Sequence, residues 1–432
     1  MKPRKRILLI LTIASGVLLS LLALIKPMGY SPVPTAVSSE AATVEVAPPI
    51  QFYELPLNLK FGVEDIAVLP DHEILVAGKD GVYRSRHEGQ HVYADQVLPH
   101  NSYSITVTDS MVLLLSNRYP FISDNTKRRE RGIKYHKLNL RVSYDGARSF
   151  ERLIKRKTYQ KLAHYAYDSK NQQLVTASPT RFTLWKMAGS KPIVIGEERF
   201  MKGRQIRNLA LQDERLAYAT NDSKLSIRPL VRPLGEDTVS FGQSFYEGIL
   251  AMKLGGEQGS SCYITVGDPA NADDAGMPMP GGVLYHKADG ERLRNVTPLR
   301  INGIVYRYLK LIDVRADGAA LCYSAERNAL LLVRRVGSKV LVRFPFEAGS
   351  LNAVSYDSEQ QMLYCGFEGS GTSLYYVFRK SNGLQAPGGL VYQTNGKVYY
   401  GHLPSEWWDD RSESAAIEAP IVQRTTTNST AI

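Results

Sequence analysis

Cysteine is scarce in this chain, with three in 432 residues. Cys262, Cys322 and Cys365 are odd in number and never closer than 43 positions, which excludes a disulfide framework and a clustered thiolate metal site. Each lies in a short apolar run (SSCYITVG, AALCYSA, QMLYCGF) and is expected to be a small buried hydrophobe. Tryptophan is equally rare, at Trp185, Trp407 and Trp408 only. No glycine-rich phosphate loop, HExxH pair or Gly-x-Ser-x-Gly elbow occurs, so nothing in the sequence calls for a nucleotide, a metal or any other cofactor. Helical periodicity is almost missing beyond the N-terminus.

What is present points to strands. Thirty-four glycines, 22 prolines and 25 tyrosines suit many short strands joined by turns. The net charge of +11 is partly local, since four of the 53 basic residues lie in the opening MKPRKR. The uncharged run ILLILTIASGVLLSLLALI follows at residues 7–25. At ~1.5 Å per residue it is long enough to approach the ~30 Å core of a bilayer. Lys26-Pro27-Met28 makes a poor signal-peptidase site. Residues 1–28 therefore read as a cytoplasmic basic stub and a single signal-anchor span, with the remainder on the extracytoplasmic side. Secretion after cleavage is the alternative. Residues 29–50, rich in Pro, Ala and Ser, read as a flexible linker, and 405–432 as a largely disordered tail.

Between them one pattern recurs seven times: strand, turn, strand ending in a small residue, turn, strand. The copies start at DIAVLPDHEILVAGKDGVYRS (65–85) and end at NAVSYDSEQQMLYCGFEGSGTSLYYVFRK (352–380). The compact residues closing each second strand are Ala77, Ser116, Ala177, Ala219, Val266, Ser324 and Gly366, spaced 39 to 61 residues apart. A sheet this small cannot bury both faces alone, but sheets stacked around an axis can. The fold expected over 51–404 is an all-β propeller, seven blades of four antiparallel strands. The last blade's outer strand would come from 51–57 or 390–403, since ring closure removes free edges.

One stretch is more specific. SYDGARSF (143–150) falls between the third and fourth strands of the second blade and resembles the Asp box of the sialidase-like, BNR-repeat propellers. Ser143, Asp145, Ser149 and Phe150 match that pattern, and Ala147 stands where the family prefers glycine. Weaker echoes are SRHEGQHV (85–92), GVLYHKADGERLRNVTP (282–298) and RKSNGL (379–384). The resemblance implies a structural role: a carboxylate accepting backbone N–H groups across a tight turn, on the rim and away from the axis. Catalytic members of the family need three arginines and a Tyr–Glu pair. The arginine motif ahead of their first blade is absent from QFYELPLNLKFG, and SIRPL (226–230) is misplaced. No catalytic residue is assigned, and a non-catalytic member is the expectation.

Departures from the repeat are the candidates for function. The insertion at 117–140 carries Lys127, Arg128, Arg129, Arg131, Lys134 and Lys137, with Tyr135 nearby. That patch suits an anionic glycan or an acidic protein face, or it is a solvated hairpin. GDPANADDAGMPMPGG (267–282) matches no calcium loop and reads as a flexible flap. SEWWDD (405–410) either packs back on the propeller or serves a partner. The reading is a membrane-anchored, extracytoplasmic propeller that binds a protein or glycan, with no nucleic-acid partner. The alternative is a diverged glycoside hydrolase or lectin.

Overall fold

The structure is a computed structural model. It describes residues 50–57, 59, 61–88, 91–117, 138–154, 164–178, 181–189, 191–199, 206–221, 224–230, 237–240, 248–268, 271, 280–369, 373–381, 384–393 and 395–409. The chain divides into two units, Met1–Glu45 and Val46–Ile432. The first lies outside the described residues, and with it the apolar run 7–25. No helix among the described residues is long and apolar enough to cross a membrane.

The second unit holds seven four-stranded antiparallel sheets and two extra hairpins among its described residues. It is a seven-bladed β-propeller. The blades, each from its innermost strand outward, begin at Val63, Asn101, His164, Ile206, Ile249, Lys310 and Leu351. Blade 7 consists of Leu351–Asp357, Met362–Phe367, Lys397–His402 and, outermost, Phe52–Glu54. Phe52, Tyr53 and Glu54 pair with Gly401, Tyr400 and Tyr399, so the start of the ring is fastened to its end.

This corrects one element. The apolar, aromatic run SLYYVFRK was expected as the third strand of blade 7. It lies instead in an inserted hairpin, Ser373–Ser381 with Leu384–Gln393. The RKSNGL echo belongs to that hairpin and not to a turn between third and fourth strands. KVYYGH takes the third position because it pairs on one side with Met362–Phe367 and on the other with Phe52–Glu54.

The core is divided among the blade interfaces. Seven apolar clusters fill them, one for each neighbouring pair. Ala77, Ala177, Ala219, Ser116, Ser324 and Cys365 are wholly buried. Gly366 shows why small residues end the second strands: a Cβ there would sit 2.5 Å from Val63 and 2.8 Å from Ile66 of the next blade. The three cysteines are free and buried, and burial pushes the Cys262 thiol up to about 12.

Candidate functional site

In every blade the first residues of the inner strand pair with the last residues of the second strand, as in Val63 with Gly78 and Leu351 with Phe367. The starts of all inner strands, and every connection between second and third strands, therefore share one end of the ring. We call it the mouth. The strand ends that flank the long connections 118–137, 267–282 and 368–396 all lie there. At the opposite end no hairpin exceeds seven residues.

That opposite end is stitched blade to blade. His72 Nδ1 meets Asp357 Oδ2 at 2.8 Å, joining blade 1 to blade 7. The Glu214 N–H donates to Asp168 at 2.9 Å, and Gln212 donates to the Gly256 carbonyl at 3.1 Å. Arg215 pairs with Asp289, and Arg335 with Glu291 at 2.8 Å. The helix Ser405–Asp409 adds a clasp. Trp407 donates its indole N–H to the Leu341 carbonyl at 3.1 Å, and Trp408 stacks on Tyr356 at 4.4 Å. Lys339 lies 4.4 Å over the Trp407 ring and Arg315 4.9 Å over Trp408. The SEWWDD segment thus packs back on blades 6 and 7.

The inner strands enclose an axial channel of about 620 Å³, a size typical of ligand clefts. Six of the seven carry a β-bulge near their start, for example between Val63 and Asp65 and between Ile206 and Asn208. A bulge leaves backbone groups unpaired and re-aims side chains. Some polar residues at the mouth serve this backbone. Asp65 accepts the Ile66 N–H at 2.9 Å and, across the blade boundary, the Ile105 N–H at 2.7 Å. Asn208 donates to the Ile249 carbonyl at 2.9 Å and Asn352 to the Val63 carbonyl at 2.7 Å. These three tie neighbouring inner strands together.

Two other residues face the channel differently. Lys253 Nζ lies 3.4 Å from Asp313 Oδ1, with the two side chains 48% and 54% exposed. They are enclosed by the ring yet wet. Asp313 holds the Lys253 ammonium above its usual value, with Asp65 contributing. Burial lifts the Asp65 carboxyl to about 6, against the pull of Lys253 and the two N–H donors. Burial and the nearby Arg207 charge push His164 down to about 4, so it lines the channel as a neutral ring. Leu250, on the blade 5 bulge, is 54% exposed there. No arginine and no glutamate is among the described residues of the lining.

The residues singled out from sequence lie elsewhere. Lys127, Arg128, Arg129, Arg131, Lys134, Tyr135 and Lys137 are outside the described residues. Ser143, Asp145, Ser149 and Phe150 are on a hairpin at the end of the ring opposite the mouth. Asp145 Oδ1 accepts the Arg148 and Ser149 N–H groups, both at 3.0 Å, and the Ser143 hydroxyl at 2.6 Å; Oδ2 accepts the Ser149 hydroxyl at 2.6 Å. These donors hold its carboxyl well below the usual carboxylate range. Ala147 is fully buried, and Phe150 packs with it into the cluster between blades 1 and 2. Asp145 pins a turn and is not part of the channel lining. Sequence reading passed over Asp65, Lys253 and Asp313, although each is a charge inside a mainly apolar inner strand (VEDIAV, ILAMKLG, KLIDV), and only Lys253 is alone in its strand.

No protein-family model matches this sequence, and no curated protein matches it. Solved structures do. The structure of YCF48 bound to D1 peptide aligns with a TM-score of 0.51 at 11% identity, over 83% of this chain and 98% of that one. U3-55K gives 0.51 at 12%, over 81% and 98%. Streptogramin B lyase gives 0.50 at 7%, over 81% and 97%. The likeness is one of fold. Because one of these structures holds a peptide and another is named as a lyase, the architecture alone does not select between binding and catalysis.

Proposed function

We propose that this chain is a propeller tethered at the extracytoplasmic face of a membrane, binding a protein partner at the mouth of its channel. One observation carries the reading: the two ends of the ring are built differently. Short hairpins and ion pairs lock one end, while the other is where the strands flanking the long connections 118–137, 267–282 and 368–396 end, beside a channel opening with an exposed leucine. Rigid scaffolding at one end and variable loops at the other is how loop-borne recognition is arranged on many folds. The named peptide complex of YCF48 supports the idea that a ring of this kind can seat a polypeptide. Residues 7–25 support the tether, and the pinned 143–150 turn supports descent from sialidase-like BNR propellers without their catalytic residues. The basic segment 127–137 would offer a second contact, to an acidic protein face or an anionic glycan.

A photo-crosslinking side chain placed at Leu250, at the mouth, and at Val336, in a hairpin of the stitched end, tests this reading in the full-length protein. A discrete protein adduct from position 250 and none from 336 is expected. Adducts from 336 alone, or from neither, would end it.

A glycosidase remains the second reading, because Asp65 and Asp313 line the same channel and the Asp65 carboxyl is raised toward the range of a general acid. Against it, Asp65 is occupied by two backbone donors, and Lys253 pairs with Asp313. Turnover of a fluorogenic glycoside panel, abolished by Asp313→Asn, would favour it.

A further inference from the structure

We infer that the channel mouth receives a lysine or arginine side chain of a protein partner, its charge taken up by Asp313 and Asp65 and its aliphatic stem lying along Leu250. This rests on the reading of the mouth as the binding face. The channel is a cavity with unequal charge: two carboxylates and one ammonium line it, with no arginine among its described lining residues to restore balance. His164 does not help, because burial and the nearby Arg207 charge keep its ring neutral, and Arg207 itself is not among the lining residues. Lys253 sits beside Asp313 at 3.4 Å, a loose contact, and reaches Asp65 only through space. Among the described residues the Asp313 side chain makes no other pairing, whereas both Asp65 oxygens already accept backbone donors. Asp313 is thus the carboxylate with capacity left, and Asp65 supplies long-range attraction.

Apolar surface makes the second half of the argument. Leu250 is more than half exposed on the blade 5 bulge at the mouth, three residues before Lys253 on the same strand, and Ala251 and Ile312 line the same channel between it and the deeper Asp313. A small inorganic cation or a free ammonium would leave that surface wet. Lysine and arginine side chains combine a long hydrocarbon stem with a terminal charge and cover both features at once. The cavity volume of about 620 Å³ admits such a side chain with adjoining backbone.

The test uses the full-length protein and three fluorescein-labelled probes, amidated pentaglycine peptides carrying Lys, Gln or Glu at the central position. Fluorescence anisotropy should show the Lys probe binding at least about tenfold tighter than the Gln probe, with the Glu probe weakest. Asp313→Asn should erase the preference. Lys253→Met should do the opposite and tighten the Lys probe, because it removes the internal competitor for the same carboxylates. That opposite sign keeps the test decisive if one variant folds poorly. Equal binding of the three probes, or a tighter Glu probe, would overturn the inference, as would a preference that survives Asp313→Asn. If the Lys probe fails while the crosslinker at position 250 still captures a discrete adduct, the charge assignment falls and the binding reading stands. If both fail, both fall.

Discussion

Asp145 and Asp65 are both single carboxylates that accept hydrogen bonds from the backbone, yet their surroundings move them in opposite directions. At Asp145 four donors win over burial, and the acid is strengthened. Removing them in Asp145→Ala should cost about 1–2 kcal/mol of stability, read as a lower urea midpoint. The native carboxyl lies below its unfolded value, so this contribution is full above pH ~4 and is lost as pH falls through the folded value. Ala147 stands at φ 65° where a glycine would be unstrained, but its methyl is fully buried. Relieved strain of about 1 kcal/mol and a lost methyl of about 0.8 kcal/mol nearly cancel. Ala147→Gly should therefore melt close to the parent, which explains how alanine occupies a glycine position. At Asp65 burial wins, and the carboxyl titrates near 6. The Lys probe should weaken as pH drops below about 6, and Asp65→Asn should remove that dependence.

The strands of the blades were largely legible before the structure, because alternation and a recurring small residue both have direct physical causes. Gly366 is the sharpest case. Its Cβ would invade Val63 and Ile66 across the interface, so Gly366→Ala should cost about 1–3 kcal/mol in thermal or urea unfolding. The register of the fourth strands and the identity of the last third strand were not legible. SLYYVFRK and KVYYGH both alternate, and only the partner on the far side, Phe52–Glu54, decides between them. The bulges were hidden for a different reason. Glu64, Tyr103, Arg207, Leu250, Ile312 and Asn352 share no side-chain chemistry, because a bulge answers to sheet geometry around an axis. The channel residues followed from those bulges and so stayed hidden as well. The packing of SEWWDD back on the propeller was one of two expectations, and the helix Ser405–Asp409 within it was not foreseen. Its worth lies in two indoles gripped by Lys339, Arg315 and the Leu341 carbonyl. Trp407→Ala should lower stability by about 2 kcal/mol without altering probe binding at the mouth.

For the molecule as a whole, closure is the property that matters. Blade 7 takes its outer strand from the start of the ring, and His72 meets Asp357 at the same junction, with Glu359 at 3.3 Å from its other nitrogen and Asp71 nearby. The hydrogen bond to Asp357 raises the His72 value above its ordinary one. The added stability is therefore present below pH ~6.5 and is lost as pH rises through the folded value. A urea-midpoint difference between pH 6 and pH 8.5 should shrink in His72→Gln. The joint also imposes an order of events during synthesis. Glu54 leaves the ribosome early, yet its partner Lys397 is 343 positions downstream. Until that late segment emerges, the earliest strand has nowhere to dock, and the blades already made present a raw lateral edge. A nascent chain stalled short of blade 7 would be an open arc, competent to bury five of its seven interfaces and unable to hide the two that blade 7 completes. Such a chain is a natural client for holding chaperones.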